Sequence, residues 1–131
     1  MKETILVIED NEQNLYLTTF ILIKNGYHVI SARDGRKGIE LANKIKPGLI
    51  LLDIQLPVMD GYAVAKNLRS NHVLDDVPIV AVTSYAMAGD KEKILAAGCT
   101  GYIEKPINPD TFMAEIEEYL SDHIPGEEGV S

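Results

Sequence analysis

Leu49-Ile50-Leu51-Leu52-Asp53 runs through four apolar residues and then stops on a carboxylate. A run so short and so uniformly apolar predicts a strand buried on both faces, as at the centre of a parallel sheet. Two further runs share that character: Ile5-Leu6-Val7-Ile8 upstream and Ile79-Val80-Ala81-Val82 downstream. His28-Val29-Ile30-Ser31 and Gly101-Tyr102-Ile103-Glu104 carry polar residues and read as sheet edges. Strands one, three and four are therefore expected in the middle, with two and five outside.

The segments between these runs have helical periodicity and readable ends. The first helix is expected from about Asn11 to Asn25, with Gly26 as its stop. The second starts near the Asp34-Gly35 turn and ends by Lys46, because Pro47 cannot continue it. The third follows Asp60 as N-cap and reaches about Asn71; the fourth spans roughly Ala88 to Ala97 and closes at Gly98. The fifth opens on Asn108-Pro109, a cap followed by Pro at the first helical position, and runs to about His123. Repeated βα units with right-handed crossovers make this an α/β chain, a doubly wound three-layer sandwich. The central strands agree with the flavodoxin-like order 2-1-3-4-5.

At 131 residues, the chain is the size of one domain. We expect that domain over residues 1–124, and Pro125 to Ser131 as a polar tail or the start of a linker. Hydrophobic residues make up 46%, enough for a core and against disorder. Lys plus Arg is 12 against 20 Asp plus Glu, a net charge of −8 that would repel nucleic acid. Cys99 is the sole cysteine, so no internal disulfide forms, and it is expected to pack as a small residue beside Gly98. His28, His72 and His123 are too scattered to build a site. The N-terminal apolar stretch stops at Glu9, too short for a signal peptide or a membrane span. A cytoplasmic protein with neither membrane nor nucleic acid as partner is expected.

Ligands of open α/β sheets bind beyond the carboxyl ends of the strands. Those ends are Glu9-Asp10, Asp53, Thr83-Ser84 and Lys105-Pro106. Each has an ordinary structural explanation: an N-cap for Glu9-Asp10, an Asx-turn for Asp53, a local backbone bond for Thr83, a surface position for Lys105. Their conjunction at one rim is far harder to obtain by chance. Two unit charges 4 Å apart repel by about 4 kcal/mol at an effective dielectric near 20, so three carboxylates need a raised pKa or a cation. Hard oxygen ligands without Cys or His favour Mg²⁺.

With the rim assembled, the chain resembles the receiver domain of two-component response regulators over residues 4–121. The carriers are Val7-Ile8-Glu9-Asp10-Asn11, Leu52-Asp53-Ile54-Gln55-Leu56-Pro57-Val58-Met59-Asp60-Gly61, Val82-Thr83-Ser84 and Gly101-Tyr102-Ile103-Glu104-Lys105-Pro106. Asp10-Asn11-Glu12-Gln13-Asn14 and Ala86-Met87-Ala88-Gly89-Asp90 look like stand-alone receivers of the DivK type and receivers of hybrid histidine kinases. The resemblance implies that Asp53 accepts a phosphoryl group from a histidine kinase or a histidine phosphotransfer protein. It implies Mg²⁺ held by Glu9, Asp10, Asp53 and the backbone carbonyl of Gln55. Thr83, the Ser84 N–H and Lys105 would bind the phosphoryl oxygens, and Lys105-Pro106 would be cis. Thr83 and Tyr102 would switch the surface of helix 4, strand 5 and helix 5 for a downstream protein target. Such a chain is no conventional enzyme, but catalyses its own phosphorylation and dephosphorylation. Gln55 and Tyr85 would flank the approach of hydrolytic water, and a bulky Tyr85 there implies slow dephosphorylation.

Other classes fit less well. A haloacid-dehalogenase-like phosphatase wants a second Asp two residues after the nucleophile, where this chain has Gln55. A flavin or nucleotide site wants a Gly-rich loop after strand one, where two acids stand. The remaining alternative is a phosphorylation-independent interaction module, or a receiver excised from a larger hybrid kinase. Helix 1 is apolar almost all round (Leu15, Tyr16, Leu17, Phe20, Ile21, Leu22, Ile23), which suits kinase docking, self-association or ordinary burial.

Overall fold

The computed structural model of the chain describes residues 3–84 and 87–121. Strands β1 (Thr4–Ile8), β2 (His28–Ala32), β3 (Leu49–Asp53), β4 (Ile79–Thr83) and β5 (Gly101–Glu104) alternate with helices α1 (Glu12–Lys24), α2 (Gly35–Ile45), α3 (Gly61–Arg69), α4 (Ala88–Ala96) and α5 (Pro109–Ser121). The strands form one parallel sheet in the order β2-β1-β3-β4-β5, so the expected doubly wound flavodoxin-like arrangement is the observed one. All residues of β3 and β4 are buried, whereas β2 exposes His28, Ile30 and Ser31 at its edge.

Alternate side chains of the central strands feed two separate cores. Leu6, Ile8, Ile50, Leu52, Ile79 and Ala81 pack with Ala42 of α2, Val64, Ala65 and Leu68 of α3, and Ile94 of α4. Ile5, Val7, Leu49, Leu51, Val80 and Val82 pack with Ile21 and Leu22 of α1 and with Phe112 and Ile116 of α5. The period-two side-chain alternation of a strand makes this division, and each fully buried Val, Leu, Ile or Phe side chain contributes about 1.5–3 kcal/mol.

Helix ends follow side-chain chemistry. Asn11, Asp34 and Asp60 cap α1, α2 and α3, each accepting a bond from the backbone N–H three residues on. Gly26 (φ 92°) and Gly98 (φ 108°) take the left-handed backbone that follows α1 and α4. The third helix stops at Arg69, before the expected Asn71, because Asn71 turns its side chain to cap a 3-10 turn over His72–Leu74. Arg69 then binds the carbonyls of Gly98 (2.8 Å) and Leu74 (2.7 Å), a tie that no local pattern announced. On α1, Tyr16, Phe20 and Ile23 are exposed at 72%, 54% and 57%, so part of its apolar circumference faces outward. The expected end of the fifth helix near His123 and the tail at 125–131 lie outside the described residues. Among the described residues, no helix is long and apolar enough to cross a membrane.

Candidate functional site

The parallel register brings the carboxyl ends of β1, β3, β4 and β5 to one rim. Asp53 pairs with Val82 and Thr83 with Glu104, so the hydroxyl closing β4 stands one residue beyond the acid closing β3. The backbone N–H of Lys105 donates to Thr83 O at 2.8 Å, extending that register by one residue. The Lys105–Pro106 peptide is cis. Glu9, Asp10, Asn11, Glu12, Asn14, Asp53, Gln55, Ser84 and Lys105 line the resulting cleft, of about 530 Å³.

Each acid is held by backbone geometry. The Glu9 N–H donates to Ala32 O at 3.0 Å, tying the end of β1 to β2, while Glu9 Oε2 accepts from the Asn11 N–H at 3.2 Å. Since Asn11 caps α1, neither Glu9 nor Asp10 serves as that cap. The Asp10 carbonyl accepts from Arg33 Nη2 at 3.1 Å, a cation beside the cluster that sequence reading did not single out. Asp53 Oδ1 accepts from the Gln55 N–H at 2.9 Å, an Asx-type turn, so the ordinary structural explanation and a place in the cleft hold together. Behind this turn, Gly61 donates its N–H to Ile54 O at 3.0 Å. A Cβ at Gly61 would stand 2.5 Å from Ile54 Cα and 2.7 Å from Asp53 O. Only glycine permits that approach.

Lys105 supplies the central countercharge. Its Nζ lies 3.1 Å from Asp53 Oδ1 and 3.6 Å from Glu9 Oε1, with the lysine side chain only 15% exposed. Glu9 and Asp53 are buried, and Asp10 is half-buried. One ligand atom from each of Glu9, Asp10 and Asp53 falls within 4.8 Å of the others. Burial pushes the Glu9 carboxyl up to about 7, aided by the hydrogen bond and charge of Asp53 and opposed by the Asn11 N–H and Lys105. One ammonium thus leaves the cluster short of positive charge. Three hard oxygen donors in that condition fit a small divalent cation such as Mg²⁺.

The remaining expected residues spread around this centre. Thr83 is buried; Ser84 is exposed, and its N–H donates to Gln55 Oε1 at 3.3 Å. Tyr102 is half-buried against the α2–α3–α4 core, with Lys91 of α4 over its ring. Tyr85 lies outside the described residues. Cys99 is buried, and desolvation raises its thiol to about 11, which suits packing and not reactivity. Neither His28 nor His72 lines the cleft, His72 pairing with Asp75 at 3.3 Å on the surface, and His123 is outside the described residues. Neither the Arg33 contact nor the Gln55–Ser84 bond has a sequence signal, because each joins loops through tertiary geometry alone.

Comparison with known proteins gives a consistent result. A sequence model described as the response regulator receiver domain matches residues 5–117. The polar-differentiation response regulators DivK of Brucella anthropi and Brucella ovis are each 41% identical over 122 residues, covering 93% of this chain and 99% of theirs. Among solved structures, the Vibrio cholerae chemotaxis protein CheY4 superposes with a TM-score of 0.87 at 28% identity, covering 91% of this chain and 99% of that one. The receiver domain of the Pseudomonas aeruginosa sensor histidine kinase PA1611 superposes with a TM-score of 0.85 at 31% identity, covering 92% of this chain and 99% of that one. The PA1611 structure holds a magnesium ion coordinated in its active site cleft.

Proposed function

The chain belongs to the response regulator receiver domain family of two-component signalling, and on that premise we propose that Asp53 accepts a phosphoryl group from a phosphohistidine. The donor is a histidine kinase or a histidine phosphotransfer protein in the cytoplasm. The observation that carries this reading is Lys105 Nζ at 3.1 Å from Asp53 Oδ1, inside a cluster of three carboxylates.

In the reaction a carboxylate oxygen of Asp53 attacks phosphorus, the phosphorus–nitrogen bond of phosphohistidine breaks, and the imidazole leaves with that electron pair. The product is an acyl phosphate on Asp53. Such transfer depends on positioning and on neutralising the phosphoryl oxygens more than on proton chemistry. The Gln55 N–H and Lys105 hold the nucleophile in one orientation. Lys105, the Thr83 hydroxyl and the Ser84 N–H then bind oxygens on phosphorus, where the negative charge gathers. Glu9, Asp10, Asp53 and the Gln55 carbonyl would hold Mg²⁺, which when bound neutralises carboxylate and phosphoryl oxygens together.

The output is conformational. Thr83 moves toward the phosphoryl group, Tyr102 turns into the space behind it, and the surface of α4, β5 and α5 changes for a downstream protein target. Slow self-dephosphorylation, with Tyr85 as the shield, belongs to the same reading. Tyr85→Ala should shorten the lifetime of the acyl phosphate; an unchanged decay rate removes that ring as the cause.

Intact-mass measurement after acetyl phosphate treatment tests the chemistry. A single phosphoryl adduct is expected with Mg²⁺, absent without it and absent in Asp53→Asn. No adduct on the wild-type protein would leave a phosphorylation-independent interaction module.

A further inference from the structure

Two hydrogen bonds of one residue straddle the reaction centre. The backbone N–H of Gln55 donates to Asp53 Oδ1 at 2.9 Å, and its side-chain Oε1 accepts the Ser84 N–H at 3.3 Å. Resting on the reading of Asp53 as acceptor, we infer that the Gln55 carboxamide is a placeholder for the phosphoryl group. It occupies the Ser84 amide until an oxygen on phosphorus takes that donor over.

The relative strengths of the competing bonds give the direction. Asp53 Oδ1 already receives two donors, Gln55 N–H and Lys105 Nζ. A phosphoryl group brings three more oxygens and negative charge into a cleft whose Ser84 N–H is engaged. Gln55 is exposed, so its side chain swings into water without breaking any buried contact. The bond it gives up is neutral and long, whereas a bond from the same N–H to a phosphoryl oxygen is charge-assisted and roughly twice as strong. Phosphorylation therefore displaces the carboxamide, and water competes for the amide less well than either. Until then the Ser84 donor is withheld from weakly bound anions. Gln55 is thus a positioning residue through two separable parts: its backbone fixes the nucleophile, and its side chain sets the threshold for filling the oxyanion side of the cleft.

Gln55→Met and Gln55→Glu separate this from simple bulk. Methionine keeps the length of the side chain and lacks the carboxamide acceptor; glutamate keeps an acceptor and adds a charge that repels phosphoryl oxygens. The probe is beryllium fluoride, titrated at saturating Mg²⁺ and followed by amide NMR. Gln55→Met should tighten binding about three- to tenfold, the range set by losing one competing neutral hydrogen bond. Gln55→Glu should weaken it by at least as much. In metal-free protein, the Ser84 amide proton should shift upfield in Gln55→Met, a readout independent of any loaded site. If the wild type binds, and Gln55→Met has the same midpoint with an unmoved Ser84 resonance, the placeholder is overturned and the acceptor reading stands. If neither protein binds beryllium fluoride nor gains an acetyl phosphate adduct, the acceptor reading fails and the placeholder goes with it.

Discussion

The Lys91 ammonium of α4 lies 5.3 Å from the centroid of the Tyr102 ring on β5. A hydrogen bond with the Tyr102 hydroxyl is the leading cause that raises the Lys91 pKa above the ordinary lysine value. Both interactions hold with Tyr102 in its present half-buried position and are lost if the ring turns inward. Lys91→Met should therefore favour the inward rotamer and tighten beryllium fluoride binding about twofold to fivefold, the scale of an exposed cation–π contact. Repeating the substitution in a Tyr102→Ala background checks the cause: an effect that survives there has nothing to do with the ring.

Removing the lysine at the site has the opposite character. Lys105→Met leaves Glu9 and Asp53 buried with no ammonium between them. In metal-free buffer at pH 8 the loss of unfolding free energy should be about 3 kcal/mol, as for a buried pair deprived of one partner. Urea denaturation measures it. The loss should shrink at pH 5, where Glu9 is protonated, and also on adding Mg²⁺.

Glu9 gives a pH dependence whose sign is fixed by its shift from 4.5 to about 7. Between those values the folded state binds more protons than the unfolded state, so stability falls as pH rises through the window. Metal-free wild-type protein should accordingly lose stability relative to Glu9→Gln between pH 4.5 and 7, and hold a constant difference above it. Mg²⁺ affinity should run the other way, because its ligand must be deprotonated, and calorimetric titrations at pH 5.5 and 8 would reveal it. Parallel wild-type and Glu9→Gln stability curves would refute the assignment.

Two glycines make a matched pair. Gly61→Ala drives a methyl into the backbone of Asp53 and Ile54 and should cost about 1–3 kcal/mol, with slower acquisition of the acetyl phosphate adduct. Gly89 in α4 has nothing within 4 Å of an added Cβ, and Gly89→Ala should stabilise by about 0.5–1 kcal/mol. Thermal unfolding of both variants is the measurement, and similar effects at the two positions would sink the steric argument.

These particulars divide what was legible from what was not. The runs Ile5–Ile8, Leu49–Leu52 and Ile79–Val82 revealed the sheet, because a strand buried on two faces has no room for polar residues. Asp60 was legible as a cap, whereas Asn11 and Asp34 were legible only as lying near the starts that their side chains cap. Strand ends then located Glu9, Asp53, Thr83 and Lys105 at one rim. What stayed hidden were contacts between segments distant in sequence: Arg69 to Gly98, Arg33 to Asp10, Gln55 to Ser84. Val58, fully exposed at φ 60°, has a left-handed backbone that a β-branched residue gives no sign of adopting.

The division of the interior by the sheet has a consequence for how this chain tolerates change. The two clusters share no side chain, so a repacking of Ile21, Leu22 and Phe112 meets β1, β3 and β4 before it reaches Ile94 and Cys99. Substitutions on opposite sides should add in free energy, as independent sites do. The molecule is in effect two half-cores around a common wall, and each can drift in sequence without retuning the other.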